Sequence, residues 1–202
     1  MKKLLSVLLA AVFLLLFTAC AADAGPAQMQ LEPGNLSDEE KTLLSLVGAS
    51  QTASLMFEYR VDDTVKTVSV ERYELDENGA WRSFGGGSFP VTGEEGRIAL
   101  ALEPKSNRMR FAVQDESGTS AIQSEYPMTN LAGLGIASTA LNEATEIVLG
   151  EEIPLVIQIL AGNDKEIFAY DVSEFSNPDS FAGHDYEHVY AVTVTFSGDE
   201  LS

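Results

Sequence analysis

His184 and His188 are the only histidines in the chain, and with Asp185 and Glu187 between them they form the one titratable cluster able to hold a metal ion or move a proton. Their spacing decides what they can do. On a helix, residues four apart share a face and two imidazoles could share one ion. On a strand their α-carbons stand about 13 Å apart, too far for a single metal. The run 189–196 alternates as a strand does, with His188, Tyr190, Val192, Val194 and Phe196 on one face. A metal or acid–base site at His184, Asp185, Glu187 and His188 therefore needs a loop that gathers the four before the strand begins. The alternative is a polar loop leading into a half-exposed strand.

Other chemistry is scarce. Cys20 is the only thiol and lies in the apolar N-terminal segment, which excludes a cysteine nucleophile and thiolate metal sites from the rest of the chain. No G-x-S-x-G elbow, phosphate loop or G-x-G-x-x-G precedes a helix. No catalytic residue and no cofactor is expected. Calcium is the one open possibility, at acids in turns such as Asp62, Asp63, Asp76, Glu77 and Asp164. That ion wants six to eight oxygens from several directions, however, and Asp in a turn also bonds its own backbone.

Two regions without acids stand out in an acidic chain. In the first, Trp81, Phe84 and Phe89 surround Gly85, Gly86 and Gly87. These rings either stack on a sugar or peptide from a glycine-rich loop, or finish the second arm of a hairpin and point into a core. In the second, residues 126–142, Leu131, Leu134 and Ile136 lie in seventeen residues without a charge. That segment is either a buried crossing or an exposed apolar interaction patch.

The elements that must position these residues are almost all strands. Alternating apolar residues predict strands over 55–60, 65–75, 98–102, 109–113, 121–126, 154–160, 166–172 and 188–196. Asn78 and Gly79 supply a hairpin turn. One helix is predicted over 38–47, with Ser37 as N-cap, Glu40 at capping-box spacing and Asp38 and Glu39 in the first turn. Nine or so strands without βαβ alternation predict an all-β fold, an antiparallel β-sandwich of immunoglobulin-like or jelly-roll-like type. A partly open barrel is the second choice.

Lys2, Lys3, an apolar segment over 4–17 broken only by Ser6, then Thr18, Ala19 and Cys20, make a secretory signal. The triplet Phe17, Thr18, Ala19 before a lone cysteine resembles a bacterial lipoprotein signal, although that family usually has an aliphatic residue where Phe17 stands. The resemblance covers residues 1–20 and implies removal of 1–19 and diacylation of Cys20. An uncleaved helix over 4–22 and a plain signal cut after Ala19 or Ala22 remain alternatives. Residues 20–35, with Gly25, Pro26, Pro33 and Gly34, read as a lipid-attached tether, and 36–202 as a single sandwich domain.

The full chain carries 12 basic and 31 acidic residues, a net charge of −19. Removing 1–19 takes Lys2 and Lys3 and no acid, leaving ten bases and a charge of −21. Such a surface repels phosphate, which argues against a nucleic-acid partner and against electrostatic docking on anionic lipid. Membrane attachment would rest on the lipid at Cys20. The expected protein is an extracytoplasmic, bacterial membrane-anchored binding or adaptor module for a surface protein or carbohydrate. A small cell-envelope enzyme using the His184–His188 cluster is one alternative, and a structural envelope-assembly component pairing through sheet edges is the other.

Overall fold

A computed structural model describes residues 28–46, 54–103, 108–125 and 133–201. Cys20, with the rest of the expected signal and half of the expected tether, lies outside the described residues, as does Leu131. In chain order the elements are β1 (Gln30–Pro33), α1 (Asp38–Leu46), β2 (Ser54–Arg60), β3 (Thr67–Leu75), β4 (Trp81–Pro90), β5 (Glu95–Glu103) and β6 (Arg108–Asp115). There follow β7 (Gly118–Ser124), β8 (Leu134–Ala140), β9 (Thr145–Glu146), β10 (Glu152–Gly162), the 3₁₀ turns Val172–Ser176 and Pro178–Phe181, and β11 (His188–Ser197).

The strands form two antiparallel sheets, one of six in the order β7-β6-β5-β2-β1-β9 and one of five in the order β4-β3-β11-β10-β8. The fold is an all-β sandwich. Period-two sequence builds it directly: Phe57 and Tyr59 of β2, Ile98, Leu100 and Leu102 of β5, and Met109, Phe111 and Val113 of β6 are all buried. They meet Val68, Val70, Tyr190, Val192, Val194 and Phe196 of the second sheet in one core.

Strands β10 and β11 of the second sheet are buried on both faces. Ile157, Ile159, Val189 and Ala191 point away from the main core, into a smaller cluster with Phe181, Ile167, Tyr170, Phe175 and Tyr186. Residues 163–187 thus cross the outer face of this sheet as a strap. The predicted strand over 166–172 does not form, and this corrects the sequence reading. Its apolar residues are spent on the sheet face, and Asp171 turns the chain by accepting the Ser173 N–H at 2.9 Å, which opens the first 3₁₀ turn.

The lower boundary of the sandwich also shifts. Gln30–Pro33, placed in the tether by composition, is a strand between β2 and β9. Leu31 is 0% exposed and explains why: one apolar side chain seals the core there, too short a signal for periodicity to register. Helix α1 forms close to its predicted span. Ser37 N–H donates to Glu40 Oε2 at 2.7 Å, and Glu40 N–H to Ser37 Oγ at 3.2 Å, completing the reciprocal cap.

The sandwich has two distinct ends. The short links 61–66, 91–94 and 147–151 join the sheets at one end, where Ile147 N–H also donates to the Met29 carbonyl at 2.9 Å. The described chain begins there, at residue 28. Thr67 pairs with Ser197 and Glu74 with Tyr190, so β11 starts at the opposite end, and the strap closes there. Among the described residues strand β7 is an outer edge, mostly exposed, and its sequence GTSAIQS carries no charge.

Candidate functional site

The aromatic residues of β4 are held in packing on both sides of its sheet. Between Arg72 and Tyr73 the pairing of β3 with β4 slips by one residue, so that Ser83 opposes Tyr73 while Gly85 opposes Arg72. This bulge reverses the alternation along β4. Trp81 therefore points to the strap, where it stacks on Phe175 at 5.1 Å and donates its indole N–H to the Phe175 carbonyl at 2.8 Å. Phe84 and Phe89 point inward, Phe84 edge-on to Tyr190 and Phe89 against Phe111. The glycines serve close approach: a Cβ on Gly86 would strike the Val70 carbonyl, and one on Gly87 would lie 2.8 Å from the Ile122 side chain of β7. Leu134 and Ile136 of β8 are half-buried against the main core.

The His184–His188 cluster is divided between two environments. His188 belongs to β11 and turns to the inter-sheet face, where its Nδ1 is 2.6 Å from Glu74 Oε1 and its ring stacks on Tyr190. Arg72, two residues from Glu74 on the same face, donates to the Gly85 carbonyl at 2.8 Å and to Ser124 Oγ and lies over Phe84. These polar groups close the end of the core, His188 with Glu74 and Arg72 with Gly85 and Ser124. His184 lies on the strap instead, and Asp185 pairs with Lys165 at 2.7 Å. Among the described residues no three His, Cys, Asp or Glu side chains are grouped to hold a metal. The turn acids Asp62 and Asp76 spend their carboxylates on their own turns: Asp62 accepts from Thr64, and Asp76 from Asn78, Ala80 and Arg82.

What the strap does bring together is a group of rings. His184 stacks on Tyr186, 5.1 Å between centroids and 14° between planes, with Phe168 at 5.1 Å and Tyr170 at 6.2 Å from it. The Tyr170 and Tyr186 hydroxyls are 3.0 Å apart. Burial, then the bond to Tyr186, raises the Tyr170 phenol above its ordinary range, so it stays neutral and fixes the strap. Phe168 is 43% exposed and is the one ring among the exposed large apolar residues described. Around the rings are acids. Lys165 is held in its charged form first by the Asp185 hydrogen bond and charge, then by Asp164 and Glu187, and Asp185 is lowered in turn by Lys165.

This patch joins residues 164–168 to residues 184–187 by a return of the chain, which no local spacing reveals. Phe168, Tyr170 and Lys165 were not singled out from sequence. The available signal was density, since six rings, His184 included, fall from Phe168 to Tyr186. A concavity of about 460 Å³ on the six-stranded sheet is lined by Glu32, Glu58, Glu95, Arg60 and Arg97 among others. Its arginines are bonded to glutamates, Arg60 to Glu95 and Arg97 to Glu58 and to Glu40 of α1, so the charges there tie helix to sheet. Comparison with protein-family models, with curated proteins and with solved structures finds no match for this chain.

Proposed function

We infer that the protein is a lipid-anchored extracytoplasmic binding module of a bacterial envelope that works without catalysing a reaction. One observation carries this reading. The patch of Phe168, His184 and Tyr186 sits at the end of the sandwich opposite Met29, next to the first described residue. A domain tethered by its N-terminus would hold that patch away from the bilayer, toward whatever lies beyond. Exposed rings on a strap braced by a doubly covered sheet also suit contact with a partner, because the rigid sheet limits the ordering cost of binding.

The test is intact mass and membrane partition of the full chain expressed in a bacterial host, beside Cys20→Ser. Loss of residues 1–19 with a lipid mass that depends on Cys20 is the expected result. An unmodified mature chain in the medium, or a retained apolar helix, would overturn the anchor.

A second reading, a structural envelope-assembly component, is favoured by the uncharged exposed edge at β7. Such edges accept further strands. Ser120→Lys would block strand addition there, and loss of envelope co-assembly in that variant would favour this reading over the first.

A further inference from the structure

We propose that the patch on the strap is a receptor for a lysine ammonium in a basic peptide segment of the partner. The proposal rests on the binding-module reading and names its ligand. The chain itself displays the chemistry, because one ammonium already occupies the acids beside the rings. Lys165 Nζ is 2.7 Å from Asp185 Oδ2 and lies within the electrostatic reach of Asp164 and Glu187. Asp185 alone pairs with Lys165, and the charges of Asp164 and Glu187 act on it without a direct ion pair, leaving an excess of negative charge at a place where Asp164, Asp185 and Glu187 are all exposed. Next to them Phe168 and His184 present ring surface to solvent.

Ring faces flanked by carboxylates attract ammonium through the ring quadrupole and through charge together. A neutral saccharide would gain hydrogen bonds from the acids but nothing from their charge, whereas a cation gains from both and from a chain of net charge −19. The Lys165 and Asp185 side chains are 41% and 80% exposed, and surface pairs of this kind contribute little to stability. An incoming lysine can therefore take over Asp185 at small cost. Lys165 is a resident competitor for the site, and its removal should strengthen binding.

That opposition makes the test specific. The full chain in nonionic detergent micelles at pH 8 would be titrated into fluorescein-labelled, end-capped tetralysine and tetraglutamine, with anisotropy as the readout. Tetralysine should bind and tetraglutamine should not. Phe168→Leu, which keeps apolar bulk but removes the π face, should weaken tetralysine binding about three- to fivefold. Lys165→Ala should tighten it by a similar factor. Lys66→Ala makes the same change in net charge at the opposite end of the sandwich and should leave affinity within twofold. Equal tightening by Lys165→Ala and Lys66→Ala would mean bulk charge alone and would overturn the proposal. So would the absence of tetralysine binding, and a parallel titration with N-acetylglucosamine trimer then separates the two failures. Trimer binding weakened by Phe168→Leu keeps the patch as a binding site with a different ligand, and binding of neither probe removes the patch from the module reading as well.

Discussion

Trp81 and Phe175 form the rivet between the strap and the five-stranded sheet. Their rings stack at 5.1 Å, and the Trp81 indole N–H donates to the Phe175 carbonyl at 2.8 Å, so one side chain contributes both apolar contact and a backbone bond. Phe181 meets the same indole edge-on at 5.9 Å, which brings both 3₁₀ turns under it.

Trp81→Phe should therefore loosen the strap without unmaking the sandwich. It keeps a ring and removes one hydrogen bond, for a loss of about 1 kcal/mol in urea unfolding. Amide hydrogen exchange should rise across residues 167–186 and stay slow in β10 and β11. Equal acceleration in both places would show that the strap and the sandwich open together.

Tyr59 fills the space that a side chain on Gly96 would need. A Cβ added at Gly96 would fall on the Tyr59 hydroxyl and close to the Gln114 carbonyl, while Tyr59 is only 3% exposed and has nowhere to go. Gly96→Ala should destabilise by about 1 to 3 kcal/mol through overpacking. The Tyr59 hydroxyl is buried and bonds to no described group, so Tyr59→Phe should be neutral or slightly stabilising. The double variant should recover part of the Gly96→Ala loss, as thermal or urea unfolding would show.

The same phenol makes the fold sensitive to alkali. Burial, and then the negative charge of Asp115, push the Tyr59 phenol up from 10.0 to about 12. A neutral phenol kept in the fold and ionised in the unfolded chain stabilises the fold fully below pH 10. That contribution declines as pH rises toward 12, at about 1.4 kcal/mol per pH unit for one proton. Tyr73, raised by burial and by its bond to Glu152, and Tyr170 add in the same direction. Unfolding midpoints at pH 9, 10 and 11 should fall progressively for the wild type and less steeply for Tyr59→Phe. Absorbance at 295 nm should show delayed phenolate formation that is lost on unfolding.

The sandwich was legible wherever a strand has one wet and one dry face. In β2, Phe57 and Tyr59 alternate with Glu58 and Arg60, and in β6, Met109, Phe111 and Val113 alternate with Arg108 and Arg110, so period two names both element and face. The cap of α1 was legible because Ser37 and Glu40 act within one turn. Residues 166–172 misled because their alternation is equally good for lying on a sheet as for pairing within one, and only the neighbouring backbone decides. Strand β1 was missed because Leu31 alone carries its signal. The patch was half legible: His184 was visible as a rare residue type, but Phe168, sixteen residues earlier, reaches it only because Tyr170 and Phe181 pin the strap between them.

The edge strand β7 bears on how molecules of this protein keep apart in solution. Among the described residues Gly118–Ser124 has no strand on its outer side, and its sequence has neither lysine nor proline to discourage a second strand. Colloidal stability at neutral pH therefore falls to the net charge of −19, a long-range repulsion that salt screens and acid discharges. As the pH approaches the sequence isoelectric point of about 4.2, that repulsion vanishes, and association through the edge, read by light scattering, should rise.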